Sequence, residues 1–271
     1  MNYYASCQES TTGIQAKLNT LSSHGVHEFA YDAVVRNIGD LIPSASISIR
    51  EAAGQSVKSA LSHTFQRDTR DDPFVPTRGV FTRLRQELAG FGGDASFLKS
   101  ETEGCVSREV LPGWVLSAGL RTGILFPFGD KPSLFVDRFQ LGGPTSVRLF
   151  RPNSMGPRDN GDFLGADLSW SAGLSLVTPL PVRPEWPVRS HVFVNAGRLG
   201  SWTDTSEGSE SGGVAGAFKK MVAEPSCTVG WGLMYRHSLV RVEANVGVPL
   251  AAGGQEGAIK GLQFGLGFSF L

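Results

Sequence analysis

Gly261-Leu262-Gln263-Phe264-Gly265-Leu266-Gly267-Phe268-Ser269-Phe270 is the stretch that decides the fold class. Every even position is large and apolar, and every odd position is Gly, Gln or Ser. Successive side chains of a strand point to opposite faces, so this segment has one wholly apolar face and one small, polar face.

The same division recurs upstream. Val240, Val242, Ala244, Val246 and Val248 alternate with Arg241, Glu243, Asn245 and Gly247. Cys227, Val229, Trp231, Leu233 and Tyr235 alternate with Ser226, Thr228, Gly230, Gly232 and Arg236, and Met234 is the exception. Ala166, Leu168, Trp170, Ala172, Leu174 and Leu176 alternate with Gly165, Asp167, Ser169, Ser171, Gly173 and Ser175. Weaker alternation runs through residues 14–18, 29–35, 45–49, 57–65, 80–88 and 114–126. Turn-forming clusters lie between: Asn37-Ile38-Gly39-Asp40, Arg50-Glu51-Ala52-Ala53-Gly54, Asp71-Asp72-Pro73 and Gly92-Gly93-Asp94. The longest connections are 127–157 and 201–225. The period-two pattern predicts an all-β, antiparallel protein of about twelve strands.

A soluble β-sandwich also alternates, so the solvent needs separate evidence. The clearest alternating segments run about 9–12 residues, near the length that crosses a bilayer at a tilt and above the usual strand of about 5–6. Their second face is rich in Gly and Ser, which suits a barrel interior. Lipid tolerates no open sheet edge, so a membrane sheet is expected to close on itself. A transmembrane β-barrel is therefore predicted over a soluble sheet.

Composition narrows the function classes. The 271 residues carry 25 basic and 25 acidic side chains and no net charge, which argues against a nucleic-acid partner. Glycine is frequent, at 34 residues, but has no Gly-X-Y period. No apolar run approaches the roughly 18 residues of a membrane helix. Met1-Asn2-Tyr3-Tyr4-Ala5-Ser6 resembles neither a secretory signal nor an Arg-rich presequence, so targeting information is expected to be internal. Cys7, Cys105 and Cys227 are too scattered for a disulfide framework or metal spacing. His24 and His27 would face opposite sides of a strand, and Arg67-Asp68-Thr69-Arg70-Asp71-Asp72 reads as a charged hairpin tip. There is no P-loop and no G-x-S-x-G elbow. No catalytic residue, metal or cofactor is predicted, and the chain is not expected to be an enzyme.

Asp137-Arg138-Phe139-Gln140-Leu141-Gly142-Gly143-Pro144-Thr145-Ser146-Val147-Arg148-Leu149-Phe150 resembles the sixth-loop signature of the outer-membrane assembly superfamily, the bacterial surface antigens that include BamA. The stretch from Met155 to Gly165, Ser175 to Pro181, Gly129-Asp130-Lys131-Pro132-Ser133 and Gln86-Glu87-Leu88-Ala89-Gly90 resemble its mitochondrial branch, the channel subunits of the sorting and assembly machinery. The resemblance covers about residue 13 to the end, with residues 1–12 a short lead and 13–271 the barrel domain. It implies the C-terminal strands of a sixteen-stranded barrel, with the family's POTRA domain and about four first strands lying outside the sequence given.

The resemblance also implies roles. Val147, Arg148, Leu149 and Phe150 hold the loop motif, whose arginine folds into the lumen and meets acids on the wall. The family places those partners at Asp167 and at Asn195, where Asp is frequent. A solvated loop arginine is the alternative. Leu149 stands where the motif has Gly, so a left-handed backbone there is expected to be strained. Gln263, Gly265, Phe268 and Phe270 fit the mitochondrial β-signal, by which a terminal strand can add to another sheet's edge. The implied activity is insertion of β-barrel precursor proteins into the mitochondrial outer membrane, from a multi-pass position in contact with its lipid. Implied partners are metaxin-type receptor subunits and the cristae-organising complex. Alternatives are a passive outer-membrane pore, or an inactive truncated paralogue of the assembly barrel.

Overall fold

The computed structural model describes residues 5–129, 133–180, 186–202, 214–237, 240–254 and 256–267. In chain order the elements are β1 (Gln8–Ser22), β2 (Gly25–Gly39), α1 (Ile47–Glu51), β3 (Gly54–Asp68), β4 (Gly79–Gly93), β5 (Phe97–Leu111) and β6 (Trp114–Pro127). A long connection carries the two-residue pair β7 (Arg158–Asp159) and β8 (Asp162–Phe163). Then come β9 (Leu168–Pro179), β10 (Val188–Gly200), α2 (Val214–Ala223), β11 (Ser226–Arg236), β12 (Arg241–Ala251) and β13 (Gly261–Gly267). Apart from the small β7–β8 pair, the strands form one antiparallel sheet of eleven in the order β1-β2-β3-β4-β5-β6-β9-β10-β11-β12-β13. This is the all-β meander of a transmembrane barrel wall, with eleven strands in the sheet among the described residues where about twelve were expected. Among the described residues no helix is long and apolar enough to cross a membrane.

Two expectations fail for local reasons. Residues 45–49 do not form a strand, because Ser46 caps a helix: its Oγ accepts the Ile49 N–H at 3.3 Å, and Ile49 is buried against Ala45, Ile38 and Phe135. Conversely β5 showed no clear alternation. Its inward side carries Lys99, Glu101 and Glu103, and its outward side interrupts the exposed Leu98, Val106 and Val110 with Ser100, Thr102 and Arg108, so neither face is uniformly apolar. The first strand also begins at Gln8, ahead of the boundary expected at residue 13.

The faces divide as the alternation requires. On β13, Leu262, Phe264 and Leu266 are 56%, 70% and 67% exposed on the outer face, whereas Gln263 is 7% exposed and points inward. Val246, Val248, Trp231 and Leu174 continue that outer apolar surface on neighbouring strands. The inner face is covered in part by the β6–β9 connection. There Leu141, Val147, Phe150 and Met155 are buried with Ala166 and Leu199, each large side chain contributing roughly 1.5–3 kcal/mol.

Candidate functional site

The connection from β6 to β9 folds back onto the inner wall and is held near both ends of the strand order. Asp137 accepts two parallel hydrogen bonds from Arg36 on β2, at 2.7 and 3.1 Å, and its backbone carbonyl accepts from Lys99 Nζ on β5 at 2.9 Å. Lys58 on β3 lies 3.7 Å from the same carboxylate. The chain then turns at Gly142, whose φ is +108°. A Cβ at Gly142 would sit 2.8 Å from the carbonyl oxygen of Arg151, so only glycine fits both the dihedral and the space.

Beyond this turn Arg148 enters the wall, fully buried, and meets Glu243 on β12. Its Nε donates to Oε2 at 2.9 Å and its Nη2 donates to Oε1 at 3.2 Å, the fork geometry in which a guanidinium binds a carboxylate most strongly. Nη1 donates to Asn195 Oδ1 on β10 at 3.2 Å, and the guanidinium carbon lies 5.0 Å from the ring centre of Phe193. The Glu243 oxygens also accept from Arg241 Nη2 and, at 2.9 Å, from Asn245 Nδ2. Asn245 Oδ1 in turn accepts from His191 Nε2 at 2.7 Å. Burying a charge this deeply is tolerable only with such saturation; removing one partner of a buried pair typically costs about 3–5 kcal/mol.

Leu149 adopts the left-handed conformation of the motif's glycine, with φ +64°. That geometry costs a non-glycine residue about 1–2 kcal/mol. Burial offsets the cost, since Leu149 is completely enclosed and its Cδ1 reaches the space above Gly247, where a Cβ would approach within 2.6 Å. The wall glycine admits the loop leucine.

The last strand grips the same loop. Gln263 Oε1 accepts the Leu149 N–H at 2.8 Å, while its Nε2 donates to the Phe150 carbonyl at 2.8 Å. One side-chain amide thus satisfies a backbone donor and a backbone acceptor that would otherwise be buried unpaired. Just before β13 the chain runs alongside the loop, with Phe150 bridged to Ala258 and the Ile259 N–H on the Leu149 carbonyl at 2.7 Å. Gly265 stands opposite Glu243 in the β12–β13 register. Phe268 and Phe270 lie outside the described residues.

Asp167 is not the partner of Arg148. It lies just before β9, accepts from Ser133 Oγ at 2.5 Å and Ser201 Oγ at 3.2 Å, and its nearest arginine is Arg138, at 3.7 Å. The loop carries Arg148 past it to β12. A further stitch fixes β8: Asp162 accepts the backbone N–H of Ser6 at 2.8 Å and of Ser46 at 2.9 Å. Burial alone would raise the Asp162 carboxyl, but the hydrogen bonds from Ser6 and Ser46 hold it below the usual carboxylate range.

Glu243, Asn245, Arg241, Arg36 and Asp137 were not singled out as site residues by sequence reasoning. One signal was available: the alternation of β12 places Arg241, Glu243 and Asn245 together on the inward face. A carboxylate amid an otherwise small, polar lumen face invites a cationic partner.

The chain as a whole is similar in sequence and fold to known proteins. The Omp85 superfamily domain matches residues 6–270. The chain is 38% identical over 275 residues to the sorting and assembly machinery component 50 homolog of Xenopus tropicalis, covering 99% of this chain and 58% of the relative. It is 36% identical to the Homo sapiens homolog, again over 99% of this chain and 57% of that protein. With the sorting assembly machinery 50 kDa subunit of Saccharomyces cerevisiae the identity is 34%, over 81% of this chain and 44% of that protein. The structure of BamA from Haemophilus ducreyi lacking POTRA domains 1–3 superposes with a TM-score of 0.80 at 18% identity, covering 95% of this chain and 54% of that one. The chain thus spans about half the length of these relatives.

Proposed function

The chain belongs to the Omp85 superfamily, and from that membership we propose that it is the barrel portion of a machine that inserts β-barrel precursor proteins into the mitochondrial outer membrane. The observation that carries this reading is the paired hold on residues 148–150: Arg148 on Glu243 of β12, and Gln263 of β13 on the backbone of Leu149 and Phe150. A passive pore has no need of a loop bound this tightly to its own last strand. An assembly barrel does, because its last strand borders the place where a precursor strand adds by main-chain hydrogen bonds and must be kept in register.

In this reading the outer stripe of Leu262, Phe264 and Leu266 faces lipid, and no bond chemistry or cofactor is involved. Metaxin-type receptor subunits and the cristae-organising complex are the proposed partners. The test is depletion of the protein in its own cells, followed by the steady-state levels of outer-membrane β-barrel proteins. The reading requires those levels to fall and to recover when the protein is re-expressed. Unchanged levels would refute it and leave the pore as the better reading.

A further inference from the structure

The connection between β3 and β4 leaves the sheet at the end opposite the β6–β9 connection and folds back across the inner face. It is pre-shaped by its own carboxylates. Asp71 accepts the N–H groups of Thr77 at 2.9 Å and Arg78 at 3.2 Å, and Asp72 Oδ1 accepts those of Phe74 at 2.8 Å and Val75 at 3.1 Å. Arg70 spans the turn from Asp68 to the Pro73 carbonyl, at 2.7 and 3.1 Å.

The shaped loop is docked on distant strands. Val75 packs against Val115 of β6, Val177 of β9 and Met234 of β11, an inward apolar patch on an otherwise polar face. Asp72 Oδ2 meets Arg236 Nε of β11 at 2.6 Å. The Phe74 carbonyl accepts from Arg241 Nη1 of β12 at 3.1 Å. Beneath the loop lies a small cavity of about 40 Å³ lined by Arg70, Phe74, Cys105 and Arg241. Arg241 therefore touches the β3–β4 loop directly and reaches the β6–β9 loop through Glu243 of the wall. One nitrogen holds Phe74 and the other donates to Glu243, the carboxylate that Arg148 grips from the opposite end.

We propose that residues 69–78 form a plug over one mouth of the lumen, and that Arg241 is a positioning residue coupling this plug to the Arg148–Glu243 contact. Release of either loop removes a partner from Glu243 or Arg241 and so loosens the hold on the other. This goes beyond the insertase reading and stands or falls separately from it.

Cys105 is a built-in reporter, because it lies under the plug. The experiment measures maleimide labelling of Cys105 in membranes from cells expressing the protein at its natural length, with every other cysteine of that protein, Cys7 and Cys227 included, replaced by serine. The plug predicts labelling roughly tenfold or more slower than in urea-unfolded protein. Arg236→Asp and Asp72→Arg should each speed it, and the double exchange should slow it again, which separates plug opening from misfolding. Coupling predicts that Arg148→Ala and the isosteric Glu243→Gln, neither of which touches the plug, also speed labelling, with Arg241→Lys intermediate. Wild-type labelling as fast as the unfolded rate would overturn the plug. Fast labelling in the plug variants beside unchanged labelling in Arg148→Ala and Glu243→Gln would overturn the coupling.

Discussion

Arg148 and Glu243, on a loop and a strand far apart in sequence, face each other through two parallel hydrogen bonds of 2.9 and 3.2 Å with no solvent access to either side chain. The pair fixes the loop to the second-last strand of the sheet, while Asp137 and Arg36 fix the same loop to the second strand. The loop thus ties regions near both edges of the wall.

Glu243→Gln should destabilise the folded barrel by about 3–5 kcal/mol, because it leaves a buried guanidinium without its counter-charge. Asp167→Asn should cost about 1 kcal/mol, the scale of ordinary hydrogen bonds. In double-mutant cycles by urea unfolding in lipid vesicles, residues 148 and 243 should couple by about 0.5–3 kcal/mol, whereas 148 and 167 should be additive within about 0.5 kcal/mol. Strong coupling of 148 to 167 would contradict the assignment of Glu243.

Leu149→Gly restores the family's glycine, yet it should weaken the fold. It relieves about 1–2 kcal/mol of left-handed strain but forfeits about 2–5 kcal/mol of burial and packing. The expected net loss is about 2 kcal/mol, within a range of roughly 0–4 kcal/mol, in the same unfolding assay. A gain in stability would show that the packing above Gly247 contributes little.

Gln263 acts through its amide as both donor and acceptor. Gln263→Ala should free the loop backbone, costing about 1–3 kcal/mol for the buried groups left unpaired. Gln263→Glu should be at least as harmful, because a carboxylate cannot donate to the Phe150 carbonyl. Protease nicking within residues 133–150 of membrane-embedded protein measures the release; wild-type resistance in Gln263→Glu would rule out the proposed hold.

Asp71 makes the plug loop acid-sensitive. Burial pushes its carboxyl up, but hydrogen bonds from the Thr77 hydroxyl and the Arg78 and Thr77 N–H groups outweigh this and bring it down to about 2. A carboxyl lowered in the folded state stabilises fully above its unfolded value of about 3.9 and loses that contribution as pH falls toward the folded one. Labelling of Cys105 should therefore be flat from neutral pH to about pH 4 and respond to Asp71 only below it, once corrected for the reagent's own pH dependence. Asp71→Asn should remove that acid response.

The outer stripe was legible because period two is a local property: Leu262, Phe264 and Leu266 needed no knowledge of neighbours to be placed outward. β5 escaped because Ser100, Thr102 and Arg108 break up the outward Leu98, Val106 and Val110, while inward Glu103 pairs with Arg83 and Arg121. Helix α1 escaped because Ala45 to Ile49 mimics alternation over too few residues to expose the Ser46 cap. At the site, the motif identified Arg148 but its partner depended on where a long loop lands, and no spacing encodes that. The single break in the alternation of β11, Met234, was informative: it points inward because the Val75 side of the plug packs there.

The most direct test of the central claim exchanges the two charges. Arg148→Glu and Glu243→Arg are introduced singly and together in cells depleted of the native protein, and assembly of an imported β-barrel precursor into the outer membrane is followed over time. The account predicts that each single variant blocks assembly and that the double exchange restores a substantial part of it. Assembly at the native rate in either single variant, or a double variant no better than the worse single one, would contradict it.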